Sequence, residues 1–87
     1  LAQELGPHAI RVNAILPAGV DTPLMREWAS STGDLTEALG IMDDIHPLGQ
    51  MATIEEIGRA CLFLASEDAA FVTGHSLEVD GGAALDY

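Results

Sequence analysis

The chain has 87 residues and a formal net charge of −11 at pH 7, with Arg11, Arg26 and Arg59 as its whole basic complement and no lysine. That length admits one domain with a thin stability margin, and so acidic a surface repels nucleic acid and anionic lipid. Cys61 stands alone, which excludes an internal disulfide and a cysteine-based zinc site and suits a reducing cytoplasm. No apolar run approaches the ~20 residues of a membrane-spanning helix.

In chain order, "LAQELG" opens at Leu1 as the middle or end of a helix, so a piece of something longer is expected. Gly6-Pro7 should end that helix, with Gly6 as left-handed cap and Pro7 as stop. "AIRVNAIL" (9–16) is short, apolar and β-branched, the pattern of a strand buried on both faces of a parallel sheet. "ILPAGVDTPL" (15–24) then leaves the strand at Pro17 and enters a helix of about 23–30 behind Thr22-Pro23, a hydroxyl cap followed by proline at the first helical position.

After a break at 30–33, Asp34 and Glu37 form a capping-box-like pair for a helix over 35–44, and "HPLGQM" (46–51) is a loop. Thr53 and Glu56 open the strongest helix, 54–65, with Ile54, Ile57, Cys61, Leu64 and Ala65 along its apolar side. On that side Cys61 reads as a small buried hydrophobe rather than a nucleophile. A polar turn (66–74) precedes "HSLEVD" (75–80), an alternating strand ending in Gly81-Gly82. Nearly sixty residues separate the two strands, which suits a crossover; in one sheet they would be parallel. Two parallel strands leave edges and a face open, so the chain needs neighbours.

The order and spacing of four segments resemble the C-terminal third of a short-chain dehydrogenase/reductase. These are the strand end around Pro17 to Thr22, the His46-Pro47-Leu48-Gly49 loop, the Phe63-Leu64-Ala65-Ser66 helix end, and the Thr73-Gly74 to Gly82 strand. The resemblance covers residues 1 to about 82 and implies an α/β fold, part of a Rossmann-type doubly wound parallel sheet. It further implies NAD or NADP as cofactor and hydride transfer between nicotinamide and a small carbonyl or alcohol substrate.

By resemblance, residues 1–87 form one partial domain, in which 23–46 covers the substrate. Pro17 would lie against the nicotinamide ring, Val20 would offer backbone groups to its carboxamide, and Thr22 would offer its hydroxyl to the carboxamide or pyrophosphate. The family's Pro-Gly is here Pro17-Ala18, with the glycine displaced to Gly19. Ala18 is harmless at negative φ and costly at positive φ, and its methyl would stand near the cofactor. Met25, Trp28, Leu39 and Met42 would line a hydrophobic substrate pocket or serve equally as ordinary packing. Helix 54–65 and the last strand would form a subunit interface in a dimer or tetramer.

The Gly-rich pyrophosphate turn and the Tyr-x-x-x-Lys pair are absent from these residues, and Tyr87 is the single tyrosine. Taken alone the polypeptide is therefore expected to be inactive. Its partner would be the N-terminal part of the same enzyme or another copy of the chain. The alternative is a non-enzymatic structural or oligomerisation module. His8, His46 and His75 lack metal-ligand spacing, with His46 structural by resemblance, and Ser30, Ser31 and Ser66 lack a hydrolase setting. Asp43-Asp44 reads as a solvated face. Arg26 reads as an exposed helix residue among acids, with an anionic substrate as its sharper role.

Overall fold

A computed structural model describes the backbone of residues 1–86 and the side chains of 1–84; Tyr87 lies outside the described residues. Helix α1 (Ala2–Leu5) ends with Gly6 at its C-cap position as expected, but Gly6 is not left-handed. Gly6 has φ −54°, and Pro7, with its own φ restrained near the helical value, carries the chain through a 3₁₀ turn, Gly6–His8. The left-handed residue is Ala9 instead, at φ 59°.

Strand β1 (Ala14–Pro17) pairs in parallel with β4 (Ser76–Val79), with Ala14 opposite Ser76 and Pro17 opposite Val79. Pro17 can stand there because β1 is an edge strand and the nitrogen of residue 17 falls on the side away from β4. The expected strand over 9–16 is shorter at its start and runs one residue further. Residues before Ala14 are held by other bonds. The Val12 amide donates to Thr73 Oγ1, Asn13 Nδ2 donates to the Val72 carbonyl, and Asn13 Oδ1 receives the His75 amide.

The expected burial on both faces is not found. Only Ile15 of β1 is even half-buried, because β1 and β4 form a sheet of two strands with both outer edges open among the described residues. In β4, Leu77 and Val79 are half-buried while Ser76 and Glu78 are exposed, as their alternation predicts.

Strand β2 (Val20–Asp21) pairs in parallel with β3 (Ala52–Thr53), a second ladder too short to leave a sequence pattern. Helices α2 (Pro23–Ser31) and α3 (Leu35–Asp44) follow β2 and pack on each other, with Gly33 at φ 119° in the break between them. Asp34 Oδ1 accepts the Glu37 amide at 3.1 Å, so the capping aspartate performs as read, without a reciprocal bond from the glutamate.

Helix α4 (Ile54–Ala65) begins with the full capping box: Thr53 Oγ1 accepts the Glu56 amide and Glu56 Oε1 accepts the Thr53 amide. At its other end Arg11 reaches across, donating from Nη1 to the Leu64 carbonyl at 2.7 Å and from Nη2 to the Ser66 carbonyl at 3.3 Å. The guanidinium thus satisfies carbonyls that no helix can satisfy internally and sits at the negative end of the dipole.

The buried side of α4 is narrower than expected. Ile57, Ala60 and Leu64 face inward, whereas Ile54, Cys61 and Ala65 are exposed. Cys61 is thus not a buried hydrophobe here: α4 is apolar on more than one side, and the β1–β4 ladder covers only one.

Candidate functional site

The chain leaves β1 at Pro17 and turns through Ala18 and Gly19 into β2. Within the β2–β3 ladder the Gly19 carbonyl accepts the Ala52 amide at 3.1 Å. Backbone groups alternate sides along a strand, so the N–H and C=O of Val20 point away from β3. Thr22 follows in extended backbone (φ −126°) and its Oγ1 accepts the Met25 amide at 3.0 Å. That cap uses an oxygen lone pair and leaves the hydroxyl proton free to donate elsewhere. Pro23 lacks an N–H, so the first turn of α2 presents few donors of its own and the positive end of its dipole.

An open groove of about 590 Å³ lies beside this turn, lined by Ala18, Val20, Thr22, Leu24, Met25, Trp28 and Met42. Apart from Thr22 every lining side chain is apolar. Ala18 is not among the residues with positive φ, so its conformation costs nothing, and its methyl forms part of the groove wall. Of the residues singled out by sequence, Val20, Thr22, Met25, Trp28 and Met42 meet there with Ala18. Leu24, exposed at the first turn of α2, joins them although no pattern marked it.

Three expected residues do not line that groove. Leu39 is half-buried on α3 outside it. Pro17 opens onto a different hollow of about 280 Å³ with Leu16, Glu78, Asp80 and Ala84, which only Ala18 shares with the first. Gly19 is buried, and its φ is not positive. Its lack of a side chain has another reason: a Cβ there would stand 2.8 Å from His46 Cε1 and 3.0 Å from Met51 Cγ.

Asp21 and Arg26 form a two-bond pair at the mouth of α2, Nε to Oδ1 at 2.8 Å and Nη2 to Oδ2 at 2.9 Å. The guanidinium holds the Asp21 carboxyl below the usual carboxylate range. Arg26 is thus already matched by a carboxylate of its own chain and is not a free anchor for an anion.

Beyond the groove, the HPLG loop rests on the end of β4. The Leu48 amide donates to the Gly81 carbonyl at 3.1 Å, and a Cβ on Gly82 would meet Pro47 Cγ at 3.1 Å. Gly81 and Gly82 take φ 59° and 88°, which glycine adopts readily. Asp80 organises the turn, accepting the Gly82 amide on Oδ1 and the Ala84 amide on Oδ2, each at 3.0 Å. Those two N–H groups, Ala84's foremost, hold its carboxyl below the ordinary value.

Open α/β sheets bind ligands beyond their strand ends, and here the strand end, the first turn of α2 and an apolar groove lie together. A family profile described as enoyl-(acyl carrier protein) reductase matches residues 1–84. The (+)-cis,cis-nepetalactol synthase NEPS3 of Nepeta racemosa is 46% identical over 81 residues, covering 93% of this chain and 30% of that protein. Among solved structures, a short chain dehydrogenase family protein of Francisella tularensis superposes with TM-score 0.87 at 33% identity, covering 98% of this chain and 37% of that one. ElxO with NADP bound superposes with TM-score 0.82 at 30% identity, covering 97% and 33%. The chain belongs to the short-chain dehydrogenase/reductase family of oxidoreductases, with the α/β architecture of their Rossmann-type fold. It spans about a third of the length of the relatives it matches.

Proposed function

We propose that this chain acts as the C-terminal segment of an NAD(P)-dependent oxidoreductase, supplying the nicotinamide-side turn, part of the substrate groove and a subunit-contact face. The observation that carries the reading is the Ala18–Thr22 turn. A nicotinamide carboxamide offers one acceptor and two donors. The turn answers with an N–H and a C=O on Val20, both directed away from β3, and a hydroxyl proton on Thr22 that its capping role leaves free. Pairing of Asp21 with Arg26 removes a bare carboxylate from the neighbourhood of a phosphate. Ala18, in ordinary backbone geometry, leaves only its methyl to accommodate.

Bound there, the nicotinamide would supply or accept a hydride at a carbonyl or alcohol carbon. The chain's own part is to orient the ring through Val20 and Thr22 and to exclude water with Leu24, Met25, Trp28 and Met42. A substrate that meets only these side chains is apolar at that end. Proton exchange with the substrate oxygen needs a general acid/base outside these residues, so the chain alone is inactive in this reading. The exposed side of α4, carrying Ile54, Cys61 and Leu62, suits contact with another subunit or the remainder of the enzyme. That same surface favours the second reading, a pairing module without catalysis.

Titration of the purified protein, in the assembly it forms, with NADH and NADPH separates the two readings. The enzyme reading expects binding that Thr22→Ser retains and Thr22→Val weakens by about tenfold, the loss of one hydrogen bond to a polar ligand. Binding by neither nucleotide, in an assembly that includes a Gly-rich turn and a Tyr-x-x-x-Lys pair, leaves the pairing module.

A further inference from the structure

One buried ionisable side chain has no part in that reading. His46 is 2% exposed, the buried polar residue among those described. Its Nε2 lies 3.0 Å from the Gly19 amide nitrogen and its Nδ1 lies 2.8 Å from the Met42 carbonyl oxygen. An amide N–H can only donate, so Nε2 is the unprotonated nitrogen. A carbonyl can only accept, so Nδ1 carries the proton and donates it. The two partners together select one neutral tautomer and occupy both ring nitrogens.

The two partners belong to different elements beside the groove. Gly19 sits between Ala18 and Val20, while Met42 lines the groove from α3. On a third side Gly81 closes on the ring, where a Cβ would come 3.6 Å from Cδ2. A Cβ on Gly19 would stand 2.8 Å from His46 Cε1, so a side chain there requires the ring to shift.

We propose that His46 is a positioning residue: as the neutral Nδ1–H tautomer it ties the Ala18–Thr22 turn to the end of α3 and so sets the width of the groove between them. Its consequence for catalysis rests on the functional reading above; the tie itself does not. A proton on Nε2 would set N–H against N–H at Gly19, so only the neutral ring makes this tie. Ionisable groups on the elements around the ring are few. Asp80, just past β4, is held by the Gly82 and Ala84 amides. Asp43 on α3 accepts the Met51 amide at 3.1 Å, and Asp21 beyond the turn is paired with Arg26.

The test is a ¹⁵N NMR titration of the purified protein in the assembly it forms, following the His46 ring nitrogens, the Gly19 amide and the Trp28 indole. The expected result is a neutral Nδ1–H imidazole, with the Gly19 and Trp28 signals shifting at the midpoint of His46 protonation. His46→Gln, which keeps an acceptor without titrating at these pH values, should retain the Gly19 hydrogen bond and abolish the shared midpoint. His46→Leu should lose both; should it fail to fold, the glutamine variant still decides. An Nε2–H tautomer, or a Gly19 amide indifferent to His46 protonation, overturns the proposal. None of these signals requires a nucleotide, so a failure of cofactor binding would be seen separately.

Discussion

Ala9 shows how a local rule is displaced by its neighbour. The left-handed position expected at Gly6 falls on a residue with a Cβ, because Pro7 extends the turn before the chain can reverse. An alanine there costs on the order of 1–2 kcal/mol, so Ala9→Gly should raise stability in urea by about 1 kcal/mol, less the greater backbone freedom of glycine when unfolded. Gly19 is the opposite case, irreplaceable for space and not for φ. Gly19→Ala should lower stability by roughly 1–3 kcal/mol through overpacking against His46 and Met51, read from the same denaturation curves.

Asp80 accepts its two amides most strongly when ionised, and those bonds hold its folded pKa below the ordinary 3.8. Its contribution is therefore complete above that value and is lost as pH falls through the lower, folded one. The stability difference between wild type and Asp80→Asn should shrink between pH 7 and about pH 3; a difference independent of pH would sink this account.

Helix ends are the part of the element scale that sequence reads best, since a cap is a contact between residues two or three apart. Thr22, Asp34 and Thr53 all accept the amide expected of them. Thr53→Ala should cost about 0.5–2 kcal/mol, whereas Thr53→Ser should cost little, both by thermal unfolding. The C-terminal cap of α4 had no such signature: Arg11 stands 53 residues away from Leu64. Arg11→Met keeps much of the stem and removes the donors, and should destabilise by roughly 1.5–3 kcal/mol, the scale of hydrogen bonds to a charged group. Hydrogen exchange should then quicken at the last turn of α4 ahead of its first.

At the scale of the whole molecule the chain is extended, 52 × 25 × 20 Å with a radius of gyration of 16.0 Å. A compact domain of this length would measure about 12 Å. Its accessible surface is 6188 Å², against about 4,900 Å² for a compact monomer of this mass. Large apolar side chains such as Leu48, Leu62 and Phe71 are exposed, and both outer edges of the β1–β4 sheet are open among the described residues. Open strand edges and exposed apolar side chains favour association, and the proposed subunit contact would cover them. Sedimentation of the purified chain at micromolar concentration should therefore show self-association or a co-purifying partner. A monomer with a sharp two-state transition would contradict it.

What the sequence determined by itself was local or statistical. The helix starts at Thr22, Asp34 and Thr53, the turn out of the first strand near Pro17, the alternation of Leu77 and Val79, and the family likeness all lie in short windows or their order. What needed the tertiary structure was every relation between distant residues. The β2–β3 ladder, the capping of α4 by Arg11, the exposure of Cys61 and the division of Pro17 from Thr22 between two hollows all belong here. The clearest case is Gly19 and His46, 27 residues apart, where a missing side chain and a buried imidazole explain each other. Periodicity and caps report forces acting within a turn or a strand. The burial of a face and the partner of a polar atom depend on which segments the folded chain brings side by side.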